Sequence, residues 1–203
     1  MKKLKNAAGN LDTFFKAMQV CTNILAVASV VGIVLILAAV VFHLDPGVIG
    51  TGFTSLDIGF LTLEIAPEFA PAPQTILIQA AVILVFAFAL ALVCRKFFTV
   101  LRQILAPMAQ GEPFHAKVSE KVADLAKLSI VIGILANAAI LVSQAITVFA
   151  LDLPTLLVSE RINKVTGNFV ADLSFLAFSA VLFLLSHVFH HGEELQQLSD
   201  ETL

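Results

Sequence analysis

Charged residues are scarce in this sequence, and their scarcity excludes an ordinary water-soluble domain. Asp, Glu, Lys and Arg make up 13% of the 203 residues and hydrophobic residues make up 59%, whereas a typical soluble domain has about 25% charged and about 45–50% apolar residues. The formal net charge is only −3, so the chain has no overall basic field with which to hold nucleic acid. Its apolar surface must face something other than water, and nucleic acid is excluded as a direct partner.

Cysteine, tryptophan and tyrosine are also rare or absent. The two cysteines, Cys21 and Cys94, are too few for a disulfide framework and lack the spacing of zinc ligands, so we interpret both as small apolar core residues. Without Trp and Tyr, the 17 phenylalanines must supply any aromatic anchoring at a membrane surface. Phe97 and Phe98 fit that role, and packing against a neighbouring helix is the alternative.

Four long apolar tracts predict four membrane-spanning helices. The first lies in the charge-free segment between Lys16 and Asp45 and is too long for the core of a cleaved signal peptide, which has roughly 7–15 residues. Each of the four is long enough to cross the hydrocarbon layer of a bilayer. The predicted spans are 20–42, 74–94, 128–151 and 169–189. We therefore expect a single all-α membrane domain over residues 1–203.

The distribution of lysine and arginine predicts the orientation. Cationic residues accumulate on the cytoplasmic side of a membrane protein, and ten of the twelve fall before the first span or between the second and third. These ten are Lys2, Lys3, Lys5, Lys16, Arg95, Lys96, Arg102, Lys117, Lys121 and Lys127. Only Arg161 and Lys164 lie in the other two connections. Both termini are therefore expected in the cytoplasm.

The two larger connections carry different patterns. In the outer loop 43–73, polar and apolar residues alternate over 55–65, which predicts a short β-hairpin-like element. In the inner segment 95–127, two amphipathic helical stretches flank the turn Gly111-Glu112-Pro113-Phe114. This predicts a basic helical hairpin at the inner surface, followed after the last span by a cytoplasmic tail over 190–203.

The basic hairpin is the strongest candidate for contact with other molecules. We expect Arg102, Lys117, Lys121 and Lys127 to contact either anionic lipid headgroups or a cytoplasmic protein. The other partners that the sequence allows are the lipid bilayer itself and a second copy of the chain.

One cluster of residues has the spacing of a metal site. His187, His190, His191 and Glu194 are separated by three, four and seven positions and share a helical face. The alternative is that the imidazoles are amphipathic groups at the membrane surface. No phosphate-binding glycine loop and no nucleophile motif is found, so we predict no catalytic residues and no cofactor.

The central parts of the predicted spans contain no Asp, Glu, Lys or Arg, which argues against a proton relay or an ion-coupled carrier. Asn137 and Gln144 lie seven positions apart in the third span, and we expect them to hydrogen-bond between helices. The alternative function for these polar groups is to line a site for a small ligand or a lipid tail.

Several short motifs resemble a family of bacterial membrane proteins catalogued as domain of unknown function 2975. They are Ser55-Leu56-Asp57-Ile58-Gly59 in the outer loop, the Gly111-Glu112-Pro113-Phe114 turn, and Gly192-Glu193-Glu194-Leu195-Gln196-Gln197 with Asp200 and Thr202. The sequence departs from the family at Leu198 and Ser199, where members often have an acidic residue and Asn. The resemblance implies a small bacterial inner-membrane protein, often encoded beside a small helix-turn-helix regulator.

The resulting expectation is an integral membrane protein that acts by protein contact, such as control of a cytoplasmic regulator. Two alternatives stay open: a protein that binds or transports a small molecule or lipid, and a metal-dependent membrane enzyme that uses the histidine cluster.

Overall fold

The computed structural model describes residues 2–42, 55–58, 61–64, 73–110, 117–150 and 171–201. Among these are four helices and two strands: α1 Lys2–Val41, β1 Ser55–Ile58, β2 Leu61–Glu64, α2 Pro73–Gln110, α3 Val118–Ala150 and α4 Ser174–Glu201. The turn Gly111-Glu112-Pro113-Phe114, the outer-loop residues Asp45 and Glu68, and the cations Arg161 and Lys164 lie outside the described residues.

All four helices are long and apolar enough to cross a membrane. Even the shortest, α4 with 28 residues, rises about 42 Å at about 1.5 Å per residue, more than the roughly 30 Å of bilayer hydrocarbon. The prediction of four membrane-spanning helices is therefore confirmed.

All four helices extend well beyond the predicted spans, and α4 does so at its end, since it continues past residue 189 to Glu201. Helix α1 begins at Lys2, because the polar leader is rich in good helix formers and contains no proline. Helix α2 continues past residue 94 to Gln110 and includes Pro107 in its last turns, so the backbone hydrogen bond that the proline cannot donate is lost close to the end of the helix. Helix α3 begins at Val118, so the amphipathic stretch before residue 128 is part of the same helix.

The start of α4 differs from the prediction in the opposite direction. Residues 171–173 are not helical and the helix begins at Ser174, although the apolar tract starts near 169. The Oδ1 atom of Asp172 accepts a hydrogen bond from the Ser174 N–H at 2.9 Å, which is the geometry of a helix N-cap. A capping aspartate therefore sets the start of α4 and lies outside the helix.

The two strands pair antiparallel between α1 and α2. Ser55 faces Glu64, and Ile58 faces Leu61. They fall in the segment where apolar and polar residues alternate, a pattern that suits a short hairpin because successive side chains point to opposite faces.

The chain divides into two compact units. The first comprises Met1–Val27, Phe88–Asn137 and Asp172–Leu203, and the second comprises Ala28–Ala87 and Ala138–Ala171. In the second unit, Gly32 of α1 lies against Leu84 of α2, so close that a Cβ on the glycine would be 2.7 Å from a Leu84 methyl group. Also in this unit, the Gln79 side-chain amide donates to the Thr147 hydroxyl at 3.0 Å and links α2 to α3.

The first unit contains the best-packed part of the described chain. A cluster of buried aliphatic side chains joins the end of α2 to the start of α3, and residues of α4 pack against it. Its buried members are Ile104, Val118, Val122 and Leu125, and its half-buried neighbours include Phe97, Leu101, Leu182 and Phe189.

Phe97, Phe98 and the cysteines can now be placed. Phe97 packs on the cluster, and the Phe98 ring stacks on Phe15 of α1 with the centroids 6.0 Å apart. Packing against neighbouring helices therefore accounts for both rings. Cys94 is half-buried, but Cys21 is exposed, so its interpretation as a core residue is wrong.

Candidate functional site

The end of α4 is attached to the start of α3 by one carboxylate. Glu193 accepts the backbone N–H of Ser119 at 2.9 Å on one oxygen and the Ser119 hydroxyl at 2.7 Å on the other. The first N–H groups of a helix have no partner within the helix and carry partial positive charge. Glu193 therefore caps α3 from a different helix and supplies the negative charge that this terminus favours.

A second hydrogen bond reinforces this attachment. The hydroxyl of Ser186, two helical turns before Glu193, donates to the Ser119 carbonyl oxygen at 2.8 Å. Both serines are buried, and burial makes such bonds costly to lose because no water replaces the missing partner. We call the start of α3 (residues 117–127) together with the part of α4 attached to it (residues 186–194) the junction surface.

Two of the three lysines of the predicted contact site, Lys121 and Lys127, lie on the first part of α3, and Lys117 lies just before it. Lys117 and Lys127 are exposed, and Lys121 is half-buried. Lys127 forms an ion pair with Asp124 one turn earlier, at 3.2 Å. Lys117 directly precedes the helix, and its carbonyl oxygen accepts the Lys121 N–H at 3.2 Å. Lys117 and Lys121 thus lie within two positions of Ser119, the residue that Glu193 caps, and Lys127 lies about two helical turns further along α3.

Arg102, the fourth predicted contact residue, has a different environment. Its Nε donates to Asp12 of α1 at 2.8 Å, and its Nη1 donates to the Gln19 side chain at 3.1 Å. The Gln19 amide in turn donates to the Thr99 hydroxyl at 3.0 Å. About a third of each ionic side chain is exposed. Arg102 therefore serves mainly to join α2 to α1.

The histidine cluster is only partly brought together. The Nδ1 atom of His187 lies 2.9 Å from the Phe183 carbonyl oxygen of its own helix. His190 and His191 lie 3.5 and 3.0 Å from the two oxygens of Glu194. No group of three or more His, Cys, Asp or Glu among the described residues has the arrangement of a metal site. His187 thus does not converge with the other three.

Asn137 connects α3 to the beginning of α4. Its side-chain amide donates to the Asp172 carbonyl oxygen at 2.9 Å and accepts the Asp172 N–H at 2.8 Å. The same amide nitrogen donates to the Gly133 carbonyl oxygen at 2.8 Å. Gln144 is exposed and has no hydrogen-bond partner within the described part of the chain. Asn137 therefore makes the contact that was expected of it, and for Gln144 the part of the chain that the structure describes shows none.

Asp172 is the one ionisable group outside the helices whose acidity is clearly changed by its surroundings among the described residues. Hydrogen bonds from the backbone and the side chain of Ser174 hold the pKa of its carboxyl below the usual range for aspartate. Such bonds stabilise the charged form. The cap on α4 is therefore ionised at neutral pH.

Little in the sequence indicates which residues pair with these sites. Ser119 and Glu193 are 74 positions apart and Asp12 and Arg102 are 90 apart, so no local pattern connects them. The one available signal was a serine at the start of an amphipathic stretch, because serine is favoured at helix N-termini. It indicates a cap but not that the partner comes from another helix.

The fold defines the class: the chain is a multi-pass α-helical membrane protein, since four of its helices are long and apolar enough to span a bilayer. No family model, no curated protein and no solved structure matches it. The resemblance to domain of unknown function 2975 therefore rests on the short motifs alone.

Proposed function

We propose that this protein is a bacterial inner-membrane protein with both termini in the cytoplasm, and that it controls a cytoplasmic regulatory protein by binding it at the junction surface. The orientation is supported by the ten cationic residues of the leader and the inner segment, since lysine and arginine favour the cytoplasmic side. The family resemblance supports the bacterial assignment and the kind of partner.

The observation that carries this proposal is the Glu193 cap on α3. A membrane anchor alone does not require the ends of two helices to be tied together, but a protein-binding surface does require fixed geometry. Here Glu193 and Ser186 hold Ser119 from α4, and the cluster around Val118 and Val122 fills the space between the helices. The lysines therefore extend from a base that is held by these hydrogen bonds and by the packed cluster.

The charges on this surface indicate the chemistry of the partner. Glu193 is engaged by Ser119 and Glu194 by His190 and His191, whereas Lys117 is exposed. A partner with an acidic patch would complement the lysines, and such complementarity increases the association rate more than the affinity. Binding should therefore weaken as salt is raised, because salt screens exposed charges.

Within the described residues, every buried side-chain nitrogen or oxygen has a hydrogen-bond partner in the protein. A site for a polar small molecule usually presents polar groups that the ligand satisfies. The polar side chains of these helices instead hold the helices together, which favours protein contact over the ligand-binding alternative.

A charge-reversal experiment tests the proposal. The protein is purified from bacterial membranes in mild detergent, and bound proteins are identified by mass spectrometry. In a variant with Lys117→Glu, Lys121→Glu and Lys127→Glu, recovery of the cytoplasmic partner should fall at least about tenfold, equivalent to about 1.4 kcal/mol. The matched control carries Lys16→Glu and Lys96→Glu, two exposed lysines on other helices, and should retain the partner.

Three outcomes would contradict the proposal. Equal recovery from the triple variant and the wild type would remove the lysines from the interaction. A reporter fused after Leu203 that is active only outside the cytoplasm would reverse the orientation. Bound zinc in stoichiometric amount, lost on changing His190 or His191 to alanine, would favour the enzyme alternative.

A further inference from the structure

The contact between α3 and the beginning of α4 lies near the middle of a long charge-free stretch. Asn137, whose side chain binds both backbone groups of Asp172, comes ten positions after Lys127 and thirteen before Ala150, the last residue of α3. No Asp, Glu, Lys or Arg occurs over 128–151. At about 1.5 Å per residue the two separations are about 15 and 20 Å, and bilayer hydrocarbon is about 30 Å thick. Asn137 therefore lies near mid-membrane, and so does the Asp172 backbone.

The charges of α3 argue against placing this contact at the outer membrane surface instead. A hydrocarbon layer that ended at Asn137 would reach back about 20 residues, to the start of α3, and would include the four charged residues over 120–127. Charged side chains are costly in hydrocarbon. In that placement Ile140 and Phe149, which are 52% and 85% exposed, would also extend into water. The mid-membrane position has neither cost.

The backbone just before α4 is irregular at this depth. Residues 171–173 are not helical, and all three are exposed, Leu173 at 61%. Lipid supplies no hydrogen bonds, so irregular backbone within a membrane is tolerated only where protein buries it or where it lines a water-filled space. Because these residues are exposed, the water-filled space is the condition that fits them.

Asp172 adds a charge at the same place. Its carboxylate accepts the Ser174 N–H at 2.9 Å, and the residue is exposed. An aspartate at membrane depth avoids lipid and faces protein or a water-filled cavity, where it marks the route of an ion or a substrate. The start of a helix carries only about half a positive charge, so the full charge of the carboxylate leaves this place negative.

We propose that a water-filled cleft enters the membrane as far as Asp172 and that the Asp172 carboxylate makes it a site for small cations. Low-dielectric walls around a charged cleft focus its field and raise the local concentration of ions of opposite sign. The lack of charge in the central parts of the spans argues against an ion pathway, but α4 begins beside the middle of α3 and thereby brings a carboxylate to that level. This role goes beyond protein binding at the junction surface and does not depend on it.

The accessibility of single cysteines to a water-soluble thiosulfonate reagent tests for the cleft. The two native cysteines are first replaced by alanine, the protein is reconstituted in liposomes, and the reagent is added to both sides of the membrane. Leu173→Cys lies beside Asp172. Its matched control is Val27→Cys in α1, which is 64% exposed and eleven positions after Lys16, a similar depth within a regular helix. Leu173→Cys should react at least about tenfold faster, because the reactive thiolate forms in water and not in lipid.

The charge of the reagent tests for the cation site. Each rate is divided by the rate of the same reagent with mercaptoethanol in solution, which removes the intrinsic difference between reagents. At Leu173→Cys a trimethylammonium reagent should then react at least about threefold faster than a sulfonate reagent, because the carboxylate attracts the first and repels the second. Asp172→Asn should abolish this preference. Asparagine caps a helix about as well as aspartate, so this variant should keep the wild-type melting temperature in detergent.

Either measurement can overturn the proposal. A rate at Leu173→Cys no higher than that at Val27→Cys would mean that lipid or protein, and not water, covers the start of α4. A charge preference that persists in Asp172→Asn, or a preference for the anionic reagent, would remove the cation site. Both readouts use the purified protein alone, so they do not depend on recovery of any cytoplasmic partner.

Discussion

Glu193 accepts two hydrogen bonds from Ser119, one from its backbone N–H and one from its hydroxyl, although 74 positions separate the two residues. One side chain near the end of the last helix thus satisfies donors at the start of the third. The contact joins two parts of the chain that no pattern in the sequence connects.

Replacing this carboxylate should weaken the unit that contains it. Glu193→Gln keeps the size of the side chain and removes its charge, so we expect a loss of about 1 kcal/mol from the helix-terminus interaction. Glu193→Ala also leaves the Ser119 donors unpaired, and the loss should be about 2–3 kcal/mol. Thermal unfolding in detergent measures both. Glu194→Gln, on the exposed neighbour, should stay within about 0.5 kcal/mol.

The close approach of α3 and α4 at Gly133 should tolerate no side chain. A Cβ there would collide with the ring of Phe175, so Gly133→Ala should cost about 1–3 kcal/mol through forced repacking. Gly9 provides the matched control, since a Cβ there meets nothing within 4 Å. Gly9→Ala should instead stabilise α1 by up to about 1 kcal/mol, because alanine has the higher helix propensity. Equal effects of the two substitutions on the melting temperature would refute the close contact.

Asn137 and Gln144 provide a test of the polar contact at the start of α4. Asn137→Leu removes both bonds to the Asp172 backbone and should destabilise the protein by about 1 kcal/mol, because these groups are exposed and water partly replaces the amide. Gln144→Leu should be neutral or slightly stabilising within lipid. Denaturation of the purified variants in the same detergent distinguishes the two, and a larger effect at Gln144 would contradict the assignment.

The ion pair between Asp12 and Arg102 should contribute a measurable coupling energy. A double-mutant cycle with Asp12→Asn and Arg102→Gln should give about 0.5–1 kcal/mol, as is typical of pairs that keep some solvent contact. The pair between Asp124 and Lys127 is more exposed, at 57% and 66%, and should give less. A coupling energy near zero for the first pair would mean that Gln19 and the aromatic contacts hold α1 against α2 without help from the ion pair.

The cap on α4 should respond to acid. The pKa of Asp172 is lowered in the folded protein by the Ser174 hydrogen bonds, so this group stabilises the fold above the unfolded pKa, near 3.9. Its contribution is lost as the pH falls through the lower, folded value. The carboxyl resonance of Asp172, followed by NMR, should titrate below the usual aspartate range, and Ser174→Ala should raise its midpoint. An unchanged midpoint in that variant would exclude the contribution of the Ser174 side chain and leave the backbone hydrogen bond as the cause.

Hydropathy was sufficient to predict the helices, because a charge-free run such as 17–44 can be satisfied only by lipid or a large core. It was not sufficient to locate their ends. The lysines of the α1 leader end the charge-free run at residue 17, so hydropathy did not indicate that the helix extends back to Lys2. At α4 the apolar tract extends before the helix, and the Asp172 cap decides where the helix starts.

The candidate site was predictable only in part, because a single sequence shows local patterns but not the contacts between distant residues. The lysines of α3 follow from charge distribution, which is a local property of the sequence. The roles of Glu193 and Arg102 depend on residues 74 and 90 positions away, and one sequence contains no signal for such pairs. The histidine spacing is compatible with a shared helical face, but spacing does not determine that His187 turns toward the Phe183 carbonyl.

Among the described residues, Lys117 is the only one other than glycine with a positive φ, at 75°. An L-residue in this left-handed conformation loses about 1–2 kcal/mol relative to an ordinary backbone, and glycine would adopt it with less strain. The chain thus carries an ammonium group at a bend where glycine would be the more stable choice. The main chain sets the direction of the Cα–Cβ bond of Lys117, so this side chain leaves the bend toward one side of the helix start, and only its own torsions decide how far the charge reaches from there.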